Sequence, residues 1–114
     1  MTRRSDRVHI VDMLVHAAKA VEMAGVVDRV EFERNEMMQL AVTRLLEIVG
    51  EAANRVSEAF RKRHPGIPWH QMIGTRNRLA HGYDDIDLEI VWDIVRNDLP
   101  PLIDRLEVLV EEGA

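Results

Sequence analysis

The sequence contains no cysteine, few aromatic residues and no long apolar run. Without cysteine, neither a disulfide nor a thiolate metal site can form, and nothing suggests an oxidising compartment. The basic start of the chain does not continue as a signal peptide, because Asp6, His9 and Asp12 interrupt the apolar residues that follow it. No apolar run is long enough to cross a bilayer. We therefore expect a cytoplasmic protein that has no membrane-bound part.

The length and the charge narrow the class further. With 114 residues, the chain is expected to form a single domain over 1–114 with a modest core. Its net charge of -5 argues against a general nucleic-acid coat, because nonspecific affinity comes largely from neutralising phosphates. From Arg55 to His81, however, six cationic residues accompany one acid, Glu58, whereas ten acids and two arginines follow from Asp84 onward. This local basic zone suits a confined anionic ligand.

Apolar residues recur at helical spacing along most of the chain, and no stretch alternates with period two. The pattern predicts a first helix over 5–24, with Ser5 as its cap and Gly25 after its end. Its apolar stripe consists of Val8, Val11, Val15 and Ala18, and Leu14 and Val21 widen it. A short segment that Asp28 could cap follows, and then a long helix is predicted over 35–62.

Proline and glycine divide the second half of the chain. The turn 64–66, His-Pro-Gly, is predicted to stop the long helix. Pro68 suits the first turn of a third main helix over 69–80. Asp87 is predicted to cap a last helix, which Pro100-Pro101 should kink or split. The fold class is therefore all-α, an antiparallel bundle of four to five helices.

The stretch RNRLAHGY at 76–83 concentrates reactive side chains, namely Arg76, Asn77, Arg78, His81 and Tyr83. Arginine can hold phosphate oxygens with two parallel hydrogen bonds, and histidine can move a proton near neutral pH. Arg76 and His81 are five positions apart and diverge by roughly 140° on a regular helix. Either the helix unwinds near Gly82, or an arginine and a histidine meet across a dimer interface.

These residue types fit phosphodiester cleavage without a metal. His81 could take the proton from a ribose 2′-hydroxyl or give one to the leaving oxygen, and Arg76 could stabilise charge on the phosphate oxygens. Asn77 could orient His81 or hold the ribose. Tyr83 could bind the phosphate, stack on a base or accept a nucleotidyl group. By composition alone, an arginine and a histidine at a helix end more often satisfy carbonyl groups, and a tyrosine more often lies at the edge of a core.

Several motifs occur together in one order. The string IGTRNRLAHGYDDID follows RLLEIVGEAANRVSE and PGIPW, and IVWDIVRNDLPPL comes after it. From about Asp6 to Leu109 the chain resembles the HepT-like branch of the HEPN proteins. The resemblance implies an HEPN-like helical bundle that forms a homodimer, with Arg76 and His81 as the catalytic pair in a cleft near the dimer interface and Asn77 in support. Members are toxins of toxin–antitoxin pairs and are regarded as metal-independent ribonucleases, which implies an RNA substrate, no metal and no cofactor.

The resemblance also implies a protein partner. In the family, a small nucleotidyltransferase antitoxin, MntA, neutralises the toxin by attaching AMP to the motif tyrosine. On this chain the AMP acceptor would be Tyr83.

Other charged residues leave alternatives open. Arg78, Arg61 and Arg63 are candidates for contacting the RNA backbone, although basic residues in the last turn of a helix are also expected for the helix dipole alone. His9, Asp12 and His16 share one face of the first helix, where a solvated face is favoured over a metal site.

A second function of another class is also considered. The net negative charge, together with Asp84-Asp85 beside the motif tyrosine, suits a noncatalytic subunit that presents Tyr83 to a nucleotidyltransferase or binds a nucleotide. Trp69 and Trp92 are expected to be packing anchors.

Overall fold

The computed structural model describes residues 4–79 and 86–113, apart from the side chains of Arg4, Ser5 and Arg76. Every element of regular secondary structure in these two ranges is a helix, so the predicted all-α class is confirmed. Eight α-helices occur there together with one π-helical turn at Ile94–Asp98. The α-helices are α1 (Arg4–Ala24), α2 (Arg29–Glu33), α3 (Glu36–Arg55), α4 (Glu58–Arg63), α5 (Trp69–Ile73), α6 (Thr75–Leu79), α7 (Leu88–Asp93) and α8 (Leu99–Glu111).

Helix α1 has the predicted extent but presents another face to the core. It begins at Arg4, so Ser5, the predicted cap, lies inside its first turn. The apolar stripe noted in the sequence does not face the core, because Val8 and Val15 are 49% and 46% exposed. The buried positions of α1 are Asp6, Ile10, Met13, Ala17, Ala20 and Ala24. Helical spacing identifies both stripes, but spacing alone does not tell which of them meets the rest of the bundle.

The long helix predicted over 35–62 is two helices in the structure. After α3, Val56 adopts an extended backbone with φ -67° and ψ 136°. Ser57 then caps α4, since its Oγ accepts a hydrogen bond from the N–H of Phe60 at 3.2 Å. A serine followed by an acidic residue is a local signal for the start of a helix, but the apolar spacing continues across it and favoured one long helix. The end of α4 before His64 is as predicted.

The same serine fixes the direction of the main helices. The carboxylate of Asp6, near the start of α1, accepts hydrogen bonds from the N–H and Oγ of Ser57, which follows α3. Helices α1 and α3 therefore run antiparallel. At the other end of α1, the guanidinium of Arg96 donates to the carbonyl oxygens of Ala24 and Val27 at 3.1 and 2.7 Å, which binds the end of α1 to the π-helical turn.

Two predicted caps are confirmed. Asp28 accepts a hydrogen bond from the N–H of Glu31 at 2.8 Å at the start of α2, and Asp87 accepts one from the N–H of Ile90 at 3.1 Å at the start of α7. Each satisfies a donor that would otherwise lack a helical partner.

The last helical region bends where the prolines predict a disturbance. Pro100 and Pro101 have no N–H, so the carbonyl oxygens of Arg96 and Asn97 lose their usual donors four residues later. The chain responds with the π-helical turn at Ile94–Asp98, in which the N–H of Leu99 donates to the carbonyl oxygen of Ile94 five residues earlier. The distortion thus precedes the prolines, and α8 continues through them.

The core lies between α1, α3 and α8. Its largest fully buried side chains come from most of the helices, and they include Phe32, Phe60, Ile10, Met13, Leu46, Met72, Ile94, Leu99, Leu102 and Leu106. Trp69 is 6% exposed and lies edge-on to Phe60, as expected of a packing anchor. The short helices α5 and α6, which carry the motif arginine, attach to this core through α3.

Candidate functional site

The helix predicted over 69–80 is interrupted inside the motif region. Helix α5 ends at Ile73 and α6 begins at Thr75, with Gly74 between them. The N–H groups of Asn77 and Arg78 both donate to the carbonyl oxygen of Gly74 at 3.1 Å, so α6 starts afresh there. The angles between side chains that are expected for one regular helix over 69–80 therefore do not apply between a residue of α5 and a residue of α6.

A close backbone approach holds α5 in place. A Cβ atom added to Gly50 on α3 would lie 2.6 Å from the carbonyl oxygen of Met72 on α5. Only glycine allows this contact, because real Cβ atoms do not approach a backbone oxygen so closely. Gly50 therefore determines how near the segment leading to Arg76 can lie to the core.

Thr75, just before Arg76, is a buried polar residue. Its side chain is 2% exposed, and its hydroxyl donates to the carbonyl oxygen of Gln71 at 3.1 Å. The hydroxyl is thus satisfied by the preceding turn, which keeps a polar group in the core at little cost. This contact also ties the start of α6 to α5 across Gly74.

The described residues on the two sides of the segment 80–85 are joined by a backbone hydrogen bond. The N–H of Asp87 donates to the carbonyl oxygen of Leu79 at 3.0 Å, and Leu79 itself is buried. The segment therefore leaves and re-enters the described fold at neighbouring points. The predicted roles of His81 and Tyr83 lie outside the described residues, and so does the predicted side-chain role of Arg76.

Asn77, predicted to support the catalytic pair, is exposed on α6. Its backbone is fixed by the hydrogen bond to Gly74, while its side chain faces solvent and can reach a ligand. The predicted roles of Asn77, holding a ribose or orienting His81, stay predictions.

Arg78, predicted to contact RNA, lies beside an acid. Its Nη2 is 3.8 Å from Oδ2 of Asp98, and the two side chains are 36% and 30% exposed. Its Nη1 is buried without a hydrogen-bond partner among the described residues. The charge of Arg78 is thus partly compensated before any ligand binds.

Arg61 and Arg63, the other predicted RNA contacts, lie in the last turn of α4 and differ in their surroundings. The guanidinium carbon of Arg63 is 5.5 Å from the ring centroid of Phe60, a cation–π distance. Arg61 lines a cavity of about 560 Å³ between α4 and α5, together with Lys62 and His70. His70 was not singled out from the sequence, because only the fold brings α5 against the end of α4.

The face of α1 considered for a metal shows a local backbone contact instead. The ring Nδ1 of His16 is 2.7 Å from the carbonyl oxygen of Asp12. Within 4–79 and 86–113, no three histidine or acidic side chains come together in a group that could hold a metal ion. Over the same ranges, no helix is both long enough and apolar enough to span a membrane.

Comparison with known proteins shows one family over most of the chain. The model of the ribonuclease HepT-like family matches residues 13–109. A relative from Methanocaldococcus jannaschii, provisionally named an RNase, is 37% identical over 96% of this chain and 100% of its own length. A relative from Thermococcus cleftensis, named "Probable ribonuclease HepT", is 35% identical over 86% of this chain and 93% of its own. No solved structure matches the chain with comparable significance.

Proposed function

We propose, because this chain belongs to the ribonuclease HepT-like family, that it cleaves RNA as the toxin of a toxin–antitoxin pair. The observation that carries the proposal is the sequence Arg76-x4-His81-x-Tyr83, which falls inside the matched range 13–109. The family membership supports the ribonuclease class. The use of these particular residues, the independence from metal and the protein partner are the further parts of the proposal.

The proposed reaction is attack of a ribose 2′-oxygen on the adjacent phosphorus, with departure of the 5′-oxygen. His81 transfers the proton, from the attacking hydroxyl or to the leaving oxygen, because an imidazole titrates near neutral pH. Arg76 binds the non-bridging oxygens, where negative charge accumulates in the transition state. Asn77 holds the ribose or orients His81. The products are a 2′,3′-cyclic phosphate and a 5′-hydroxyl.

The surroundings of the motif support this use of the segment. Leu79 and Asp87 anchor its two ends, and Gly50 and Thr75 fix the approach of α5 and α6 to the core. Fixed flanking residues favour catalysis, since reacting groups must be held in a narrow range of positions. Arg78, Arg61 and Arg63 are proposed to attract the RNA backbone to this region.

We further propose a homodimer, as the resemblance to HEPN proteins implies. Helix α1 supports it, because Val8 and Val15 are about half exposed and belong to a stripe that includes the half-buried Val11 and Ala18. A continuous apolar stripe on a long helix is an expected contact surface for a second helix. The self-complementary contact of two copies of α1 would bury it.

The proposed antitoxin is an MntA-like nucleotidyltransferase that transfers AMP to the hydroxyl of Tyr83. The tyrosine oxygen attacks the α-phosphorus of ATP, its proton is lost to solvent, and pyrophosphate leaves. The resemblance supports this proposal through the motif tyrosine, two residues after His81. An AMP group there would introduce a charged phosphate beside the catalytic pair and repel the RNA backbone. Toxin and antitoxin would both work in the cytoplasm.

A second function is supported by the acidic character of the chain. The net charge is -5, and Asp84-Asp85 follows the motif tyrosine directly. Negative charge beside the site weakens the attraction of RNA, which suits a noncatalytic subunit that presents Tyr83 to a nucleotidyltransferase or binds a nucleotide.

The direct test is incubation of the purified protein with mixed RNA in EDTA, followed by analysis of the product ends. Cleavage that leaves cyclic phosphates would support the toxin proposal. Intact RNA, from a protein whose measured mass shows no AMP on Tyr83, would contradict it and favour the noncatalytic function.

A further inference from the structure

A cleft separates α4 from α5, upstream of the motif along the chain. This α4–α5 cleft has a volume of about 560 Å³. It is lined by Glu58, Arg61, Lys62, Pro65, Ile67, Pro68, Trp69, His70 and Gln71. The lining residues form two groups by chemistry, a polar and cationic group and an apolar group of proline, isoleucine and tryptophan, which are called its polar and apolar sides below. A cleft of this size holds a small ligand or one unit of a longer one.

The charges on the polar side favour an anion. Arg61 and Lys62 carry positive charge. The one acid in the lining, Glu58, lies 3.2 Å from Lys62, in a pair whose side chains are both 75% exposed. Glu58 thus compensates the lysine, while the arginine charge stays available to a ligand.

Arg61 differs from Arg63 and Arg78, the other two predicted RNA contacts, in having no partner among the described residues. Its Nε is shielded from solvent without a hydrogen-bond acceptor, and its guanidinium forms no ion pair within the described part of the chain. Arg78 lies beside Asp98, and Arg63 lies over Phe60. A shielded donor without an acceptor is costly. Arg78 has one too, at Nη1, but Asp98 partly compensates its charge, so a bound anion would stabilise Arg61 more.

The apolar side of the cleft matches a second part of the same ligand. Ile67 and Trp69 are 5% and 6% exposed, so they form a firm wall, and Pro65 and Pro68 stand at its rim. Proteins that bind single-stranded nucleic acid combine a cationic group, which binds the phosphate, with an apolar surface, which contacts the base.

The position along the chain connects this cleft to the motif. His70 in the cleft precedes Arg76 by six residues, so their Cα atoms lie at most about 20 Å apart, whatever path the chain takes across Gly74. One strand of RNA can therefore lie over both places. An acidic segment of a protein would satisfy the charge but would not use the apolar wall, so we favour the nucleotide.

We propose that the α4–α5 cleft binds one nucleotide of the RNA substrate outside the cleavage motif, with its phosphate on the Arg61 guanidinium and its base against Ile67 and Pro68. This inference rests on the proposed function in that it takes RNA to be the substrate. It adds a binding position that affects the affinity for RNA without taking part in the proton transfer.

The test measures binding separately from cleavage. The probe is a fluorescein-labelled oligonucleotide with 2′-O-methyl ribose throughout, which lacks the attacking hydroxyl and cannot be cut by the proposed reaction. Its affinity is measured by anisotropy at several salt concentrations for the full chain. The variants are Arg61→Gln, Arg61→Lys and, as a control with the same charge change, Arg29→Gln, whose side chain is 47% exposed on α2. Circular dichroism checks that each variant is folded.

We expect Arg61→Gln to weaken binding about ten-fold and to reduce the slope of log affinity against log salt by about 0.7 to 1. Arg61→Lys should keep the salt slope but bind more weakly than the wild type, because it lacks the planar fork. In cleavage assays Arg61→Gln should raise KM and leave kcat unchanged. Equal losses in Arg61→Gln and Arg29→Gln would overturn the inference, as would a wild type that does not bind the probe.

The two proposals fail in different ways. Arg61-dependent binding by a protein that cuts no RNA would support the cleft and contradict the nuclease. Cleavage with an unchanged KM in Arg61→Gln would support the nuclease and overturn the cleft.

Discussion

The carboxylate of Asp6 and Ser57 are joined by two hydrogen bonds across 51 positions of sequence, from the serine N–H at 2.8 Å and from its Oγ at 2.7 Å. Asp6 is 2% exposed, so a buried acid is held by the residue that also caps α4. The serine oxygen therefore serves two partners, donating to Asp6 and accepting from Phe60. This arrangement fixes α1, the end of α3 and the start of α4 together.

The first prediction concerns that contact. Asp6→Asn should lower the free energy of unfolding by about 2 to 3 kcal/mol, because it replaces an acceptor oxygen with a donor and weakens two charge-assisted hydrogen bonds. Ser57→Ala should cost about 1 to 2 kcal/mol through the lost cap. Urea denaturation measures both, with Asp12→Asn on the same helix as the control. Losses that simply add in the double variant would show that the two residues do not interact.

The second prediction concerns the approach of α3 to α5. Gly50→Ala should destabilise the protein by about 1 to 3 kcal/mol, because the added Cβ would press on the carbonyl oxygen of Met72. RNA cleavage should fall as well, since α5 leads into the helix that carries Arg76. A stabilisation of about 1 kcal/mol, the usual result of replacing a helical glycine by alanine, would contradict the close approach.

The matched control is Gly66→Ala. A Cβ at Gly66 would meet nothing within 4 Å. Thermal melts should therefore place this variant within about 0.5 kcal/mol of the wild type.

The fold class could be predicted from the sequence, because it depends on local signals. Apolar spacing and caps such as Asp28 and Asp87 are such signals, and the tertiary contacts agree with them. The sequence was insufficient for the inward face of α1 and for the break at Ser57. Both depend on which surface a distant element covers, and Asp6 and Ser57 are brought together only by folding. The regular spacing through Val56 therefore favoured one helix where a long-range contact stabilises two.

The candidate site could also be predicted only in part. The motif residues could be found by chemical type and by resemblance to a family, and their order along the chain is a local property. The break at Gly74 and the cleft beside Arg61 were not predictable, because each follows from how α5 packs against α3 and α4. His70 in particular carries no sequence signal, being one histidine of five.

The third prediction concerns the homodimer. Val15→Glu should convert the protein to a monomer in sedimentation or light-scattering experiments, because a charge would be buried in the proposed contact between two α1 helices. Val108→Glu is the control, since Val108 is 50% exposed on α8 and lies outside the stripe. If both variants remain dimers, α1 is not the contact, and a monomeric wild type would contradict the homodimer itself.

The fourth prediction concerns neutralisation. Co-expression with an MntA-like nucleotidyltransferase should add AMP to the wild-type chain, as seen by intact mass, and should abolish its cleavage of RNA. Tyr83→Phe should stay unmodified and active, because it lacks the acceptor oxygen and retains Arg76 and His81. The chain offers no second tyrosine, so modification of Tyr83→Phe would mean that another kind of residue accepts the group.

The most direct test of the account compares the wild type, His81→Ala and His9→Ala in RNA cleavage with EDTA present. Each variant removes one imidazole. His81→Ala removes it from the motif, and His9→Ala removes it from a half-buried position on α1. The account predicts cyclic-phosphate products from the wild type and from His9→Ala, and a rate at least about 100-fold lower for a folded His81→Ala. Undiminished cleavage by His81→Ala would contradict the assignment of proton transfer to His81 and with it the proposed mechanism.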